Sequence, residues 1–208
     1  MITLRQLLRT TLIISVFALT AGFDDARDTE GWISLFNGKT FDNWKASEHP
    51  ATFTINEGAI VVFGERAHLF YMGPVSNHDF KNFEFKVQVM TTPGSNSGIF
   101  VHTEYQEEGW PSKGYEIQVN NSHTDWRRTG SVYALKDVKE PPAKDDEWYT
   151  QHIIVKGPSI TVKVNDKVIN EYTETNPEKI TTGTFALQGH DPKSKVYYKD
   201  VMVKLLPD

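Results

Sequence analysis

Hydrophobic and polar side chains alternate with a period of two residues along much of the chain after residue 80. In NFEFKVQVM (82–90), the apolar side chains fall on one face, while Glu84, Lys86 and Gln88 fall on the other. Successive side chains of a β-strand point to opposite faces of a sheet, so this pattern predicts a half-buried strand. Strand-like segments recur at 96–103, 114–119, 152–157, 159–164, 185–191 and 195–206.

Turn residues separate these segments at short intervals. Asn165 and Asp166 stand in the middle of VNDKVI (164–169), where they predict a hairpin turn. After residue 22, no apolar stripe with the 3.6-residue period of a helix persists over several turns. The chain is therefore predicted to be all-β, a two-sheet antiparallel sandwich or jelly roll. The side chains predicted to lie inside it are Phe83, Phe85, Ile117, Val162 and Leu187.

Two of the predicted strands carry polar pairs on the face opposite their apolar side chains. In GYEIQV (114–119) the pair is Glu116 and Gln118, and in FALQGHD (185–191) it is Gln188 and His190. Side chains two residues apart on a strand lie roughly 6.5–7 Å apart on one face. Two explanations fit these pairs. The polar face is either simply exposed to solvent, with surface histidines and a turn, or it is the floor of a site.

Polar and aromatic residues near these strands extend the possible site. Three long connections, at 104–113, 120–130 and 136–147, flank the strands with the polar pairs, and long loops in compact domains are often functional. If the strands are neighbours, their polar side chains line one concave face. Amides and aromatic rings around such a face suit a sugar, which needs partners for its hydroxyls and rings for its C–H faces. The binding candidates are Asn96, His102, Trp110, Gln118, Trp126, Arg128, Tyr133 and Gln188.

The N-terminal segment and the composition narrow the class of protein. The chain has 208 residues, a formal net charge of −5 and no cysteine, which excludes disulfides, thiolate metal sites and a cysteine nucleophile. Residues 1–21 combine Arg5 and Arg9 with a short apolar run and small residues, the layout of a secretory signal peptide, with a single membrane anchor as the alternative. We expect a signal peptide at 1–21, a linker at 22–30 and one domain at 31–207, in a periplasmic or secreted protein.

The charge and the motifs disfavour several functions. Removal of residues 1–21 would take away two arginines and no acid, and an acidic chain without a basic run is a poor nucleic-acid binder. Without the signal peptide, no membrane attachment is expected. An ordinary glycosidase needs two carboxylates flanking the bond, whereas the strand EIQVN offers only Glu116. The sequence contains no metalloprotease, serine-hydrolase or phosphate-loop motif.

Several motifs taken together resemble a known family. They are GWISLFNGKTFDNW, NSGIFVHT, GYEIQV, TGSVY, the Glu147–Trp148 pair, and ALQGHD followed by VYYKDVMVKLLP. In this order, from about residue 31 to residue 207, the chain is similar to the 3-keto-disaccharide hydrolase domain family. The resemblance implies a jelly roll of the concanavalin A-like lectin/glucanase type, exported in many bacteria, that acts on glycosides already oxidised at C3.

The resemblance also implies a reaction that needs only one carboxylate. A ketone at C3 acidifies the proton on C2, so that a base can remove it; the C1 substituent then leaves, and water addition completes a net hydrolysis. By similarity, Glu116 and His190 are the base and the acid, in an order left open, while Asn96, Gln118, Gln188 and Arg128 bind the substrate or stabilise the enolate. No cofactor is firmly implied, although a divalent cation held by Glu116, His190 and a neighbour would stabilise an enediolate.

One departure from the family pattern leaves a second hypothesis open. Asn120 and Asn121 follow GYEIQV, where many relatives carry an acid. The chain could therefore differ in specificity, or be a non-catalytic carbohydrate-binding jelly roll that uses the same groove. The expected partner is an oxidised sugar substrate under the first hypothesis and a carbohydrate ligand under the second.

Overall fold

The structure is a computed structural model that describes residues 30–179 and 181–208. The expected signal peptide, and the expected linker apart from Glu30, lie outside the described residues. Within the described part of the chain, no helix is both long enough and apolar enough to cross a bilayer. The described residues form β-strands and three short 3-10 turns, so the all-β prediction is confirmed.

The strands are short and are joined mainly by turns and loops. They are β1 (Ile33–Ser34), β2 (Trp44–Ala46), β3 (Phe53–Asn56), β4 (Ala59–Phe63), β5 (Ala67–Tyr71), β6 (Phe83–Thr91), β7 (Ser97–Thr103), β8 (Tyr115–Val119), β9 (Tyr149–Lys156), β10 (Ser159–Val164), β11 (Lys167–Thr173), β12 (Thr184–Gly189) and β13 (Lys195–Leu205). The 3-10 turns are Pro50–Thr52, Val75–His78 and Pro177–Lys179.

The larger sheet has eight antiparallel strands. Its order is β11–β10–β9–β6–β13–β4–β3, and the short β1 also pairs with β13. The last strand, β13, thus lies near the middle of the sheet between β6 and β4. The hairpin between β10 and β11 turns at Asn165 and Asp166, whose φ angles of 48° and 64° are those of a type I′ turn. This confirms the hairpin predicted from the sequence.

The smaller sheet has five antiparallel strands in the order β2–β5–β12–β7–β8. On its outer face, His68 of β5 lies opposite Gln188 of β12, and Gly98 of β7 lies opposite Gln118 of β8. The three strands that were predicted to carry polar side chains are therefore neighbours, because β12, β7 and β8 are consecutive. This adjacency places the polar pairs of two separate segments on one face.

The hydrophobic core fills the space between the two sheets. The side chains predicted to lie inside are all buried in it: Phe83, Phe85, Ile117, Val162 and Leu187. Phe185 of the smaller sheet packs against Phe85 of the larger sheet, with ring centroids 4.7 Å apart. The period-two alternation is what sends one set of side chains into this core and the other set outward.

A β-bulge in β7 overturns the expected position of His102. Thr103 pairs with Thr184, but Phe100 already pairs with Ala186, so two residues of β7 oppose one of β12. The extra residue reverses the alternation after Val101, and His102 takes a φ of 54°. Its ring points into the core side of the sheet, where Nε2 donates to the Lys81 carbonyl at 2.9 Å. His102 therefore does not lie beside the other polar side chains, contrary to the prediction.

Candidate active site

A cleft of about 280 Å³ lies on the outer face of the smaller sheet, where the long loops rise beside it. Strands β7, β8 and β12 form its floor, and the loops before and after β8 form its walls. Seven of the ten residues singled out from the sequence line this cleft: Asn96, Trp110, Glu116, Gln118, Tyr133, Gln188 and His190. Phe100 and Pro111 complete the lining.

Glu116 lies on the floor of the cleft, opposite Phe100 in the strand register. Its carboxylate occupies the space that a side chain on Gly98 would fill, because a Cβ built on Gly98 would collide with Glu116 Oε1. Burial raises the pKa of Glu116 to about 7, a hydrogen bond from Gln188 Nε2 to Oε1 at 2.8 Å opposes the shift, and the charge of Asp125 adds to it. A carboxyl group with this pKa can donate or accept a proton near neutral pH.

His190 stands at the end of β12 with its ring oriented by the next residue. Its Nδ1 lies 2.7 Å from Asp191 Oδ2, and Ser194 Oγ also donates to that oxygen at 2.8 Å. Although burial opposes it, hydrogen bonds from His190, the Lys193 amide and Ser194 lower the pKa of Asp191 to about 2. An ionised carboxylate only accepts hydrogen bonds, so Nδ1 carries a proton and Nε2 of the neutral ring holds the lone pair.

The amides of the cleft leave two acceptors unused. Gln118 Nε2 donates to Asn96 Oδ1 at 2.9 Å, and Gln188 Nε2 donates to Glu116. The oxygens Gln118 Oε1 and Gln188 Oε1 are buried and have no hydrogen-bond partner among the described residues. A buried acceptor without a partner costs about 1–3 kcal/mol, so these oxygens favour a ligand that brings hydroxyl donors.

Aromatic side chains stand on two sides of the cleft. Trp110, which is 47% exposed, has its ring centroid 5.5 Å from that of His190. Tyr133 stands on the side of β8, where its amide donates to the Glu116 carbonyl. Two exposed rings beside convergent polar groups provide the apolar surfaces on which sugar C–H faces stack.

The structure places two other predicted binding residues outside the cleft lining. Trp126 is exposed on the loop after β8, where the Arg127 guanidinium lies 4.9 Å from its ring centroid. Arg128 Nη1 donates to the carbonyls of His123, at 2.8 Å, and of Asp125. Arg128 therefore holds the loop together, because its guanidinium donors are turned toward the loop backbone.

Asn120 and Asn121, which directly follow β8, also stabilise this loop. Asn120 Nδ2 donates to the carbonyls of Asp125 and Arg127 at 2.9 and 2.7 Å. Asn121 Nδ2 donates to Thr91 Oγ1 at 2.9 Å. Both side chains are buried and lie outside the cleft lining, so they support the loop beside the site.

Three residues near the cleft were missed by the sequence analysis. His123, in the loop after β8, has its ring centroid 5.6 Å from that of His190, and His68 of β5 lies under Trp110. Ligand atoms of His123, His190 and Asp191 lie within 4.8 Å of one another, and two imidazoles with one carboxylate are suited to a divalent transition metal. Asp191 follows His190 directly in QGHDP, so its pairing could have been anticipated, whereas no pattern singles out the loop residue His123.

The comparisons with known proteins agree with this architecture. The model of the family described as the 3-keto-alpha-glucoside-1,2-lyase-like domain matches residues 31–204. The chain belongs to this family. The resemblance inferred from the sequence motifs is thereby confirmed.

One curated relative and several solved structures are similar to this family member. A Bacteroides thetaiotaomicron protein named 3-keto-disaccharide hydrolase is 27% identical over 172 residues, which cover 70% of this chain and 59% of that protein. A Parabacteroides distasonis structure named as a glycosyl hydrolase has a TM-score of 0.71 at 24% identity and covers 86% of this chain and 95% of that one. Carbohydrate-binding module CBM66 of Bacillus subtilis has a TM-score of 0.59 at 9% identity, with 78% and 95% covered. A Bacillus subtilis protein with a galectin-like fold is also similar, with a TM-score of 0.57 at 12% identity and 78% and 89% covered, and the lectin-like jelly roll is confirmed.

Proposed function

We propose that this family member cleaves 3-keto-glycosides, including 3-keto-disaccharides, by removing the C2 proton and eliminating the C1 substituent. The observation that carries the proposal is the half-buried Glu116, with a pKa of about 7, in one cleft with the His190–Asp191 pair. Membership of the 3-keto-alpha-glucoside-1,2-lyase-like family and the name of the Bacteroides relative support the substrate class. A single carboxylate on the cleft floor fits elimination better than displacement by a carboxylate pair.

The ketone makes this reaction possible without a second carboxylate. A base takes the proton from C2, and the C2–H electron pair forms a C2–C3 double bond while the C3 oxygen becomes an enolate. The enolate then re-forms the ketone as a C1–C2 double bond develops and the bond from C1 to the leaving oxygen breaks. An acid protonates that oxygen. Addition of water across C1 and C2 would convert this lyase product into the product of a net hydrolysis.

We assign the base to His190 and the acid to Glu116. Because Asp191 fixes the proton on Nδ1, Nε2 of the neutral ring accepts a proton, and the carboxylate stabilises the imidazolium that forms. Glu116 is half protonated near pH 7, so it holds a proton for the leaving oxygen. Its surroundings disfavour the carboxylate, so Glu116 keeps this proton at a pH at which an ordinary glutamate is already ionised.

The remaining cleft residues bind and orient the sugar. Gln118 Oε1 and Gln188 Oε1 accept hydrogen bonds from substrate hydroxyls, and Trp110 and Tyr133 stack on sugar rings. If the enzyme uses a divalent cation, His123, His190 and Asp191 would hold it, and His190 would then be a ligand instead of the base. Such a cation would supply positive charge for the enolate oxygen.

The decisive experiment compares the purified protein on a 3-keto-disaccharide and on the same disaccharide without the ketone, with and without a chelator. We expect cleavage of the oxidised sugar alone, because only the ketone acidifies C2. Glu116→Gln should lower the rate by roughly 10²–10⁴. Glu171→Gln, at an exposed position of β11, is the matched control and should retain full activity. Equal cleavage of both sugars would refute the mechanism, and loss of activity in chelator alone would implicate a cation.

A non-catalytic carbohydrate-binding module is the competing function. The exposed Trp126 on the loop after β8 favours it, since such modules bind through exposed aromatic side chains. In that case the wild-type protein binds sugars without turning over any 3-keto-glycoside, and Trp126→Ala abolishes binding. In the enzyme, Trp126 lies outside the cleft lining, so Trp126→Ala should change the KM by only a few-fold.

A further inference from the structure

His68 is a buried polar side chain that the proposed reaction leaves without a role. Its ring is fully buried, and neither ring nitrogen has a hydrogen-bond partner among the described residues. Its neighbours are aromatic rings, with centroids 5.3 Å away for Phe100 and 5.6 Å away for Trp110. A buried donor or acceptor that makes no hydrogen bond costs free energy of folding. Such a group in a native fold calls for a functional explanation.

His68 belongs to the same sheet face as the cleft. It lies opposite Gln188 in the register of β5 and β12, and Phe100, which it touches, lines the cleft. Burial lowers the pKa of His68 to about 4, so the ring is neutral at neutral pH. A neutral imidazole offers one hydrogen-bond donor and one acceptor, and a sugar hydroxyl can likewise both donate and accept a hydrogen bond.

The indole of Trp110 covers this ring. The loop that carries Trp110 is anchored by its backbone, because the Gly109 amide donates to Glu48 Oε1 at 3.2 Å. Glu48 in turn accepts two hydrogen bonds from Arg66, from Nε and Nη2, both at 3.0 Å. The indole itself is 47% exposed, so it can turn about its side-chain bonds while these backbone anchors stay in place.

His68 stands close to the reacting group. Gln188 lies opposite His68 in the register of β5 and β12, and its Nε2 donates to Glu116 Oε1 at 2.8 Å. Only the Gln188 side chain therefore separates the His68 strand position from the carboxylate, a span within the reach of one sugar ring attached to the leaving oxygen. The cleft lining runs in the same direction, from Glu116 across Phe100 to Trp110.

We propose that the β5 end of the cleft is the subsite for the departing sugar, where the Trp110 indole moves aside and a hydroxyl of that sugar hydrogen-bonds to the His68 ring. This inference rests on the proposed function, because it assumes a glycoside that is cleaved at Glu116. It adds a specificity: the enzyme prefers a sugar to a small alcohol as the departing group. The Trp110 indole then packs against the sugar ring that has displaced it from His68.

The test uses His68→Phe and two substrates, a 3-keto-disaccharide and the methyl glycoside of the same oxidised sugar. Phenylalanine keeps an aromatic ring of similar shape and removes both nitrogens, so the melting temperature should be unchanged or higher. We expect kcat/KM on the disaccharide to fall about 10–100-fold, as for the loss of one buried hydrogen bond to substrate. On the methyl glycoside it should change less than twofold, since that substrate lacks the departing sugar. His68→Gln, which keeps polar atoms, should recover part of the loss.

Two controls keep the result specific. Phe70→Leu alters a neighbouring buried ring of β5 and should leave the ratio of kcat/KM between the two substrates unchanged, even if it lowers the melting temperature. The disaccharide should also change the tryptophan fluorescence of the inactive Glu116→Gln protein, and this change should disappear in Glu116→Gln/Trp110→Phe. No fluorescence change on saturation with the disaccharide would overturn the movement of Trp110.

The outcomes separate the subsite from the reaction. An equal loss on both substrates, or no loss on either, would overturn the subsite while leaving the cleavage of 3-keto-glycosides intact. If the wild-type protein turns over neither substrate, the proposed function fails. Calorimetric titration of the disaccharide into the wild-type and His68→Phe proteins then decides the subsite, with weaker binding expected in the variant and equal binding refuting it.

Discussion

Replacing Glu116 with glutamine should stabilise the protein at neutral and alkaline pH while it removes turnover. Desolvation raises the pKa of this half-buried carboxyl from 4.5 to about 7, and each unit of pKa corresponds to about 1.4 kcal/mol. Between these two values the folded state binds more protons than the unfolded state, so the free energy of unfolding falls as the pH rises. The full cost, about 3 kcal/mol, is present above pH 7. Glutamine removes the charge and can still accept the hydrogen bond from Gln188.

The assay is urea denaturation of the wild-type and Glu116→Gln proteins at pH 4, 6 and 8. The two should be equally stable at pH 4, where the carboxyl is protonated in both states, and should differ by about 3 kcal/mol at pH 8. For a chain of this size, that difference corresponds to roughly 6–12 °C in melting temperature. Glu171→Gln at an exposed position should show no such trend. A difference that does not change with pH, or a variant that is less stable at pH 8, would refute the account of Glu116.

Four further predictions concern the reaction and the location of the protein. The kcat/KM for a 3-keto-disaccharide should fall as the pH rises through about 7, because Glu116 loses its proton, and a flat profile there would remove its role as the acid. Asp191→Asn should lower kcat by roughly 10²–10⁴, because His190 loses the partner that fixes its Nδ1 proton; wild-type turnover would show that this pairing is not needed. Gly98→Ala should leave the circular-dichroism spectrum unchanged but impair turnover by displacing the Glu116 carboxylate, and full activity would contradict this packing. N-terminal sequencing of exported protein should start near residue 22, and material that retains residues 1–21 would contradict the signal peptide.

Alternation along the chain was sufficient to predict the sandwich, its core and the face that carries the cleft. Glu116 and Gln118 are assigned correctly to one face because a regular strand preserves the period of two. The prediction for His102 is wrong because β7 is not regular at that point. The bulge in β7 inserts one residue, and a single insertion sends every later side chain to the other face. The letters NSGIFVHT carry no signal for that insertion.

The rest of the site depends on contacts between distant segments. His68 could have been placed on the outer face of β5 from the alternation in AHLFY, but its burial under Trp110 depends on how the loop at 104–113 folds back. His123 and Arg128 lie in a loop whose hydrogen bonds are irregular, so no periodic rule assigns their directions. Loop side chains of this kind are fixed by tertiary contacts alone.

The central position of β13 has a consequence for how the chain acquires its structure. Of the described strands it is the last to be synthesised, yet β6 and β4 both use it as their hydrogen-bonding neighbour. Until residue 205 has been made, the larger sheet is split in two, and each half presents an unpaired edge. Pairings between such distant segments form slowly, and exposed edges favour association with other chains. Folding of the domain should therefore be completed only after β13 has left the ribosome, and nascent chains lacking β13 should depend on chaperones.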